Sequence, residues 1–225
     1  MNILIVTPHF YPENFRINDF AEEFHKRGHE ITVLTAIPDY PEGKYYEGYG
    51  LFKKNREIYN GIKMYRAPLI PRGSGSNIKL ALNYISFVLG ALFTSLFMLR
   101  SKLDIVFVFE TSPITVGLPA IFIKKIKKIP LCFWVLDLWP ESVSSAGNLK
   151  SSYIPRILNP IVRYIYKHSD RILVSSNGFI NSIVDKGVSR GKIEFFPQWA
   201  EPIFKPMKSN KFLLTGVPEK SFKIM

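Results

Sequence analysis

Leu131-Cys132-Phe133-Trp134-Val135-Leu136-Asp137-Leu138-Trp139-Pro140-Glu141-Ser142, continued by Val143-Ser144-Ser145-Ala146-Gly147-Asn148, decides the fold. An unbroken apolar run from Leu131 to Leu136 has the pattern of a short strand buried on both faces. The run stops at Asp137, and a loop carrying Trp139, Pro140, Glu141 and Ser-Ser-Ala-Gly follows. In an open α/β sheet, ligands bind in the crevice beyond the carboxyl ends of the strands. An acid at a strand end therefore belongs to the candidate site. Asp137 leads it, with Trp139 and Glu141 on the same loop, although either acid could instead cap or brace that loop.

The same pattern recurs on both sides of this stretch. Asn2 to Thr7 reads as a buried parallel strand, Pro8 to Asn14 as the turn after it, and Phe15, Phe20, Ala21 and Phe24 as the apolar face of a helix that Gly28 ends. Ile31 to Thr35 is a second strand, which completes a βαβ unit with an expected right-handed crossover. Residues 37–54 hold several prolines, glycines and tyrosines and are expected to form a long connection acting as a mobile flap. Asn60-Gly61 between Arg56 to Tyr59 and Ile62 to Arg66 is a hairpin signal. Asp104 to Phe109 is a strand ending at Glu110, and Thr111 or Ser112 is expected to cap a helix over Ile114 to Lys128 with Pro113 in its first turn. Ser152 to His168 and Asn177 to Lys186 read as helices, and Arg171 to Val174 and Ile193 to Phe196 as strands. Strands alternating with helices predict an α/β fold with a mostly parallel sheet and helices on both faces.

Leu80 to Leu99 contains no charged residue and is bounded by Lys79 and Arg100. A helix of that length would be roughly 30 Å long, enough to cross a hydrocarbon core. It could pack on the core or a partner, lie in the plane of a membrane surface, or span a bilayer. The span is disfavoured because the strands before and after it read as parts of one sheet. Leu89, Phe93 and Phe97 are its candidate membrane contacts, together with the helix-end cluster Lys124, Lys125, Lys127 and Lys128. That cluster is equally explained as a solvated helix end matched to its dipole.

Charge narrows the partners. The formal net charge is +12, with 12 Lys/Arg against 9 Asp/Glu in residues 1–100 and 18 against 9 in residues 101–225. This favours an anionic partner without choosing among phosphorylated substrate, acidic lipid and nucleic acid. Nucleic acid is not expected, for the chain lacks zinc-binding spacing, RNP-like aromatics and a basic heptad helix. The single Cys132 gives neither a disulfide framework nor a metal cluster, and His25, His29 and His168 show no metal spacing, so no metal site is expected. The amino terminus lacks the basic region and long apolar run of a secretory signal, and a reducing cytosol is the expected compartment. The loop His9-Phe10-Tyr11-Pro12-Glu13-Asn14 lacks the Gly-x-Gly-x-x-Gly fingerprint, which opposes a dinucleotide cofactor and an oxidoreductase.

Taken in order, Ile3 to Glu13, Arg27 to Thr35, Glu110 to Pro113, Val135 to Ser142 and Ser169 to Ser176 make the chain resemble the amino-terminal half of a retaining glycosyltransferase of the two-Rossmann-domain (GT-B) type, in glycosyltransferase family 4. Asp137-Leu138-Trp139-Pro140-Glu141 and Gln198-Trp199-Ala200-Glu201 resemble a bacterial polysaccharide-assembly subgroup that includes colanic-acid-type and N-acetyl-fucosamine transferases. The resemblance implies a Rossmann-like acceptor-binding domain over residues 1–200. Residues 201–225 would be an interdomain linker and the cut start of a donor-binding domain, so that this half is inactive alone. It implies a nucleotide-sugar donor, a lipid-linked saccharide acceptor, no metal or other cofactor, and a front-face mechanism in which donor phosphate takes the acceptor proton. By position, Asp137 would orient or polarise hydroxyls at the reacting sugar. His9, Tyr11, Glu13, Arg16, Glu110, Trp139 and Glu141 are the candidate acceptor- and donor-binding residues. Asn14-Phe15-Arg16 replaces the Gly-Gly of many relatives, and Arg16 would supply charge there. The implied location is the inner face of the plasma membrane, bound peripherally to an anionic surface. The competing reading is a non-catalytic Rossmann-like module whose apolar helix packs on a protein partner.

Overall fold

A computed structural model gives the protein's structure over residues 1–51, 53–73, 76–98, 102–146, 153–200 and 205. The chain runs β1 (Asn2–Val6), α1 (Arg16–Lys26), β2 (Glu30–Ala36), β3 (Arg56–Tyr59), β4 (Ile62–Ala67), α2 (Asn77–Met98) and β5 (Ile105–Glu110). A 3₁₀ turn (Ile114–Val116) leads into α3 (Gly117–Lys127), followed by β6 (Leu131–Val135), α4 (Glu141–Ala146), α5 (Tyr153–His168), β7 (Arg171–Val174), α6 (Phe179–Asp185) and β8 (Ile193–Phe195). One sheet contains all eight strands in the order β3-β4-β2-β1-β5-β6-β7-β8, parallel throughout except for β3, which pairs antiparallel with β4. The chain builds outward from β1 on one side, then restarts at β5 on the other. That reversal places a topological switch point between β1 and β5.

Each strand sends alternate residues to opposite faces. Leu4, Val6, Val106, Val108, Phe133 and Val135 join a core against α2, α3, α5 and α6. Ile3, Ile5, Phe107, Phe109 and Trp134 join a second core against α1 and the returning residues Phe196 and Trp199. α1 turns Ile17, Phe20 and Ala21 inward, and its register is supported by an Arg27–Glu23 pair at 2.9 Å. Gly28, at φ +85, ends it in a conformation that side chains with a Cβ resist. The hairpin turn has Asn60 and Gly61 both at positive φ, 48 and 83, as its short loop requires.

Four expectations change. Neither Thr111 nor Ser112 caps a helix: Pro113 takes the N-cap position of the 3₁₀ turn, and α3 starts at Gly117. Glu141 to Ala146, read as loop, forms α4. The helix read over Asn177 to Lys186 shortens to Phe179–Asp185. The segment after β2 is held in place, since Tyr45 Oη donates to Leu69 O and Tyr46 Oη to Tyr40 O, both at 2.6 Å, and Gly43 N donates to Asp39 O at 2.7 Å. Its tyrosines act as struts, which removes the reading of a mobile flap. The proposed linker and second-domain start at 201–225 lie outside the described residues, Lys205 excepted.

Candidate functional site

The loops leaving β1, β2, β4 and β5 open at one edge of the sheet, and a cleft of about 190 Å³ lies among them. Its polar lining comes from His9 after β1, Asp39 and Tyr40 after β2, Arg72 after β4, Asn83 and Tyr84 on α2, and Thr111 and Ser112 after β5. Across a wall shared by Phe15 and Thr111 is a second depression, of about 480 Å³, reached by Asn14, Arg16, Asp19, Leu136 and Gln198. The two lie where the crevice rule places a ligand, at the β1/β5 switch point.

The first cleft has a stiff floor. Glu13 is buried, and its Oε1 accepts backbone N–H groups from Asp39 at 3.1 Å and Tyr40 at 2.8 Å. Its Oε2 lies 2.9 Å from His9 Nδ1, and the His9 ring stacks on Phe15 with centroids 4.8 Å apart. Asp39 Oδ2 accepts the Arg72 N–H at 3.2 Å and the Asn83 amide at 3.1 Å, which ties the β2 and β4 loops to α2. Burial pushes the Asp39 carboxyl above its ordinary range, against the pull of the Arg72 N–H. The Arg72 guanidinium lies 4.6 Å from the Tyr40 ring centroid and donates to Pro41 O at 2.9 Å. His9, Glu13 and Asp39 approach closely enough to hold a metal ion. Both Glu13 oxygens and Asp39 Oδ2 also bond to protein groups, and these bonds shape the loops.

Asp137 follows β6 half-buried, with its N–H donated to Glu110 Oε2 at 3.2 Å. Its charge reaches Tyr84, in the cleft wall, and Tyr166. Glu110 is fully buried; its Oε2 also receives the Leu136 N–H at 3.3 Å, while Oε1 meets no donor among the described residues. Burial drives the Glu110 carboxyl well above its ordinary range, and the Asp137 charge adds to the rise. Glu110 thus holds the turn that presents Asp137.

The other expected residues divide by environment. His9 lines the first cleft and Arg16 the second, where Arg16 lies 3.7 Å from Asp19, while Glu13 forms the support beneath. Tyr11 turns away and stacks on Tyr59 with centroids 3.9 Å apart. Trp139 is buried in the core, edge-on to Tyr84. Glu141 pairs with Lys186 at 2.6 Å and accepts from Ser182 at 2.7 Å. Burial raises its carboxyl, but those two hydrogen bonds, a backbone N–H and the Lys186 charge together hold the group below its ordinary range. In the lysine cluster, Lys124 is taken up by Asp170 at 2.6 Å and His168 O at 2.7 Å. Lys125 meets the Tyr164 hydroxyl at 2.9 Å.

Asp39, Tyr40, Arg72, Asn83 and Tyr84 line the cleft without having stood out in the sequence. The signal for Asp39 and Arg72 was available, because both follow strand ends as Asp137 does. Asn83 and Tyr84 sit in an apolar helix, and only the packing of α2 turns them toward the cleft.

The family described as "Glycosyl transferase 4-like domain" matches residues 14–199. The chain is 26% identical over 212 residues to WcaI of Escherichia coli (strain K12), which bears the name of a colanic acid biosynthesis glycosyl transferase. That match covers 89% of this chain and 51% of WcaI, so the chain spans about half the length of the curated relative. Among solved structures, a sucrose-phosphate synthase from Thermosynechococcus elongatus superposes with a TM-score of 0.56 at 12% identity, covering 88% of each chain. The calicheamicin glycosyltransferase CalG4 superposes with a TM-score of 0.51 at 13% identity, over 92% of this chain and 55% of CalG4. These likenesses establish the Rossmann-like fold of a GT-B amino-terminal half.

Proposed function

The chain belongs to the glycosyl transferase 4-like domain family, and from that premise we propose that it is the acceptor-binding half of a retaining glycosyltransferase of cell-surface polysaccharide synthesis. The observation that carries the reading is the cleft at the β1/β5 switch point, where aromatic walls alternate with hydroxyl, amide, guanidinium and carboxylate groups. A sugar presents apolar ring faces and hydroxyls that both donate and accept, and such a lining answers both. Asp39 and Asn83 would position the acceptor saccharide, with Tyr40 and Tyr84 against its faces. Asp137 would accept a hydrogen bond from a hydroxyl at the reacting carbon.

In the proposed reaction the donor's anomeric C–O bond to phosphate breaks as the acceptor oxygen bonds to the same face of that carbon. The hydroxyl proton passes to the departing nucleoside diphosphate, so no protein nucleophile or metal ion takes part. Arg16 and Gln198 would meet the donor in the second depression. A lipid-linked saccharide is the acceptor this reading favours.

Titration of the chain with a polyprenyl-diphosphate-linked sugar tests the proposal. Saturable binding is expected, weakened about 10-fold or more in Asp39→Asn, because a charge-assisted hydrogen bond contributes about 1.5–3 kcal/mol. Equal binding by that variant, with its fold verified by circular dichroism, would remove the cleft as the acceptor seat.

A further inference from the structure

We infer that α2 docks the protein, in plane, on an anionic lipid bilayer through a stripe of apolar side chains that the domain leaves uncovered. Ile78, Leu82, Ile85, Leu89, Phe93 and Phe97 recur every three or four residues and so lie along one face of the helix. They are 45% to 75% exposed along its whole length. The opposite face carries Phe87, Ala91 and Ser95 into the domain. A core helix would bury its apolar residues; this one turns six of its large ones outward.

Its inner face is fastened. A Cβ on Gly90 would lie 2.1 Å from Pro68 O, so the helix backbone rests directly on the chain leaving β4. Asn83 donates to Asp39 Oδ2 and to Ile70 O, and Ser86 Oγ accepts the Ile70 N–H at 2.8 Å. The strands before and after α2, β4 and β5, belong to one sheet. Crossing a bilayer would break these bonds and strip the face of that sheet, whereas lying on a surface requires neither.

The choice of lipid over a protein groove comes from charge. α2 carries no acid, and its one cation, Lys79, is exposed near the amino end. At the other end the Arg56 guanidinium lies 5.5 Å from the ring centroids of both Phe97 and Tyr65, with exposed Lys53 and Lys54 preceding it in the chain. α3 packs beside α2, and because both run antiparallel to the parallel strands, their carboxyl ends reach the same edge of the sheet. There α3 exposes Ile126 and Lys128, while Lys125 turns to the Tyr164 hydroxyl of α5. An apolar stripe framed by cations matches a headgroup layer above hydrocarbon.

The same helix walls the cleft through Asn83, Tyr84 and Phe87. Docking would hold the cleft about one helix diameter, roughly 10 Å, from the lipid surface. Delivery of a lipid-linked saccharide from the membrane into the cleft rests on the acceptor reading above; the docking does not.

Flotation with vesicles of phosphatidylglycerol and phosphatidylethanolamine, against phosphatidylcholine vesicles, tests the inference without any saccharide. The parent chain is expected to float with the first. Leu89→Ser/Phe93→Ser and, separately, Lys53→Glu/Arg56→Glu should each weaken partitioning by about 10-fold or more. Both pairs are exposed, so folding is expected to persist and is checked by thermal melting. Parent chain that stays at the bottom of the gradient, or a serine variant that floats like the parent, would overturn the inference. So would a parent dimer in sedimentation that the serine substitutions dissociate, which would assign the stripe to contact between copies. Loss of saccharide binding with flotation intact would sink the acceptor reading alone.

Discussion

Glu110 faces the backbone N–H groups of Leu136 and Asp137 with one carboxylate oxygen, while its other oxygen has no partner among the described residues. Burial disfavours the charged form, so the carboxyl keeps its proton to higher pH in the folded state than in the unfolded chain. The unfolded chain ionises Glu110 around the ordinary value of 4.5 and the folded one only at higher pH, so stability declines as pH rises from there to the raised folded value. Glu110→Gln keeps an oxygen for the two N–H groups and cannot ionise. Urea unfolding across pH should therefore show a flatter profile than the parent, with the variant the more stable at alkaline pH; parallel profiles would show that Glu110 is charged in the folded protein. This role was only half legible. An acid at the end of an apolar strand reads as a ligand group, and nothing in the chain order says that the next strand's turn will close over it. Arg66 is a like case: it reads as the last residue of a hairpin strand, yet its guanidinium is fully buried, bonded to Glu57 at 2.6 Å and to Tyr11 O at 2.7 Å.

The strands were legible because burial on both faces leaves an apolar run in the sequence, and the hairpin because positive φ selects Asn-Gly. Elements whose stability comes from distant partners were not. α4 holds only six residues, several of them serine, and gains support from the Glu141 pair with Lys186 on the far side of α5 in the chain. α2 was found as a helix but not oriented, since its low amphipathicity conceals which face the domain covers. Gly90 resolves the orientation and offers a test. In an exposed helix, Gly→Ala stabilises by about 1 kcal/mol through backbone entropy. Here the added methyl would meet a backbone carbonyl at 2.1 Å, which no side-chain rotation relieves. Gly90→Ala is thus expected to lower stability by about 1–3 kcal/mol, the cost of overpacking. A raised melting temperature would mean that α2 stands away from Pro68, and the in-plane docking would lose its anchor.

At the scale of the molecule, among the described residues, one sheet face carries α2 to α6 and the other carries α1 and a short returning segment. After β8 at the sheet's edge, the chain turns back beneath the strands. Phe196 O accepts the Trp134 indole N–H at 3.0 Å, and Trp199 stacks on both Trp134 and Phe20. Residues 196–200 therefore join β6 to α1 across the second core, and they begin the wall of the depression that Arg16 and Gln198 line. The sequence around Trp199 reads as a turn, and its aromatic burial emerges only once β6 stands next to β5 and β5 next to β1. A chain ended after Phe195 would leave Trp134 and Phe20 facing water on this side, whereas one ended after Ala200 keeps the closure. The shorter chain should lose on the order of 3 kcal/mol from the missing aromatic burial and the indole hydrogen bond. Its urea midpoint should fall accordingly and its tryptophan emission shift to the red. Equal midpoints for the two chains would mean that the second core is closed by α1 alone, and that the returning segment lies on the surface without supporting it.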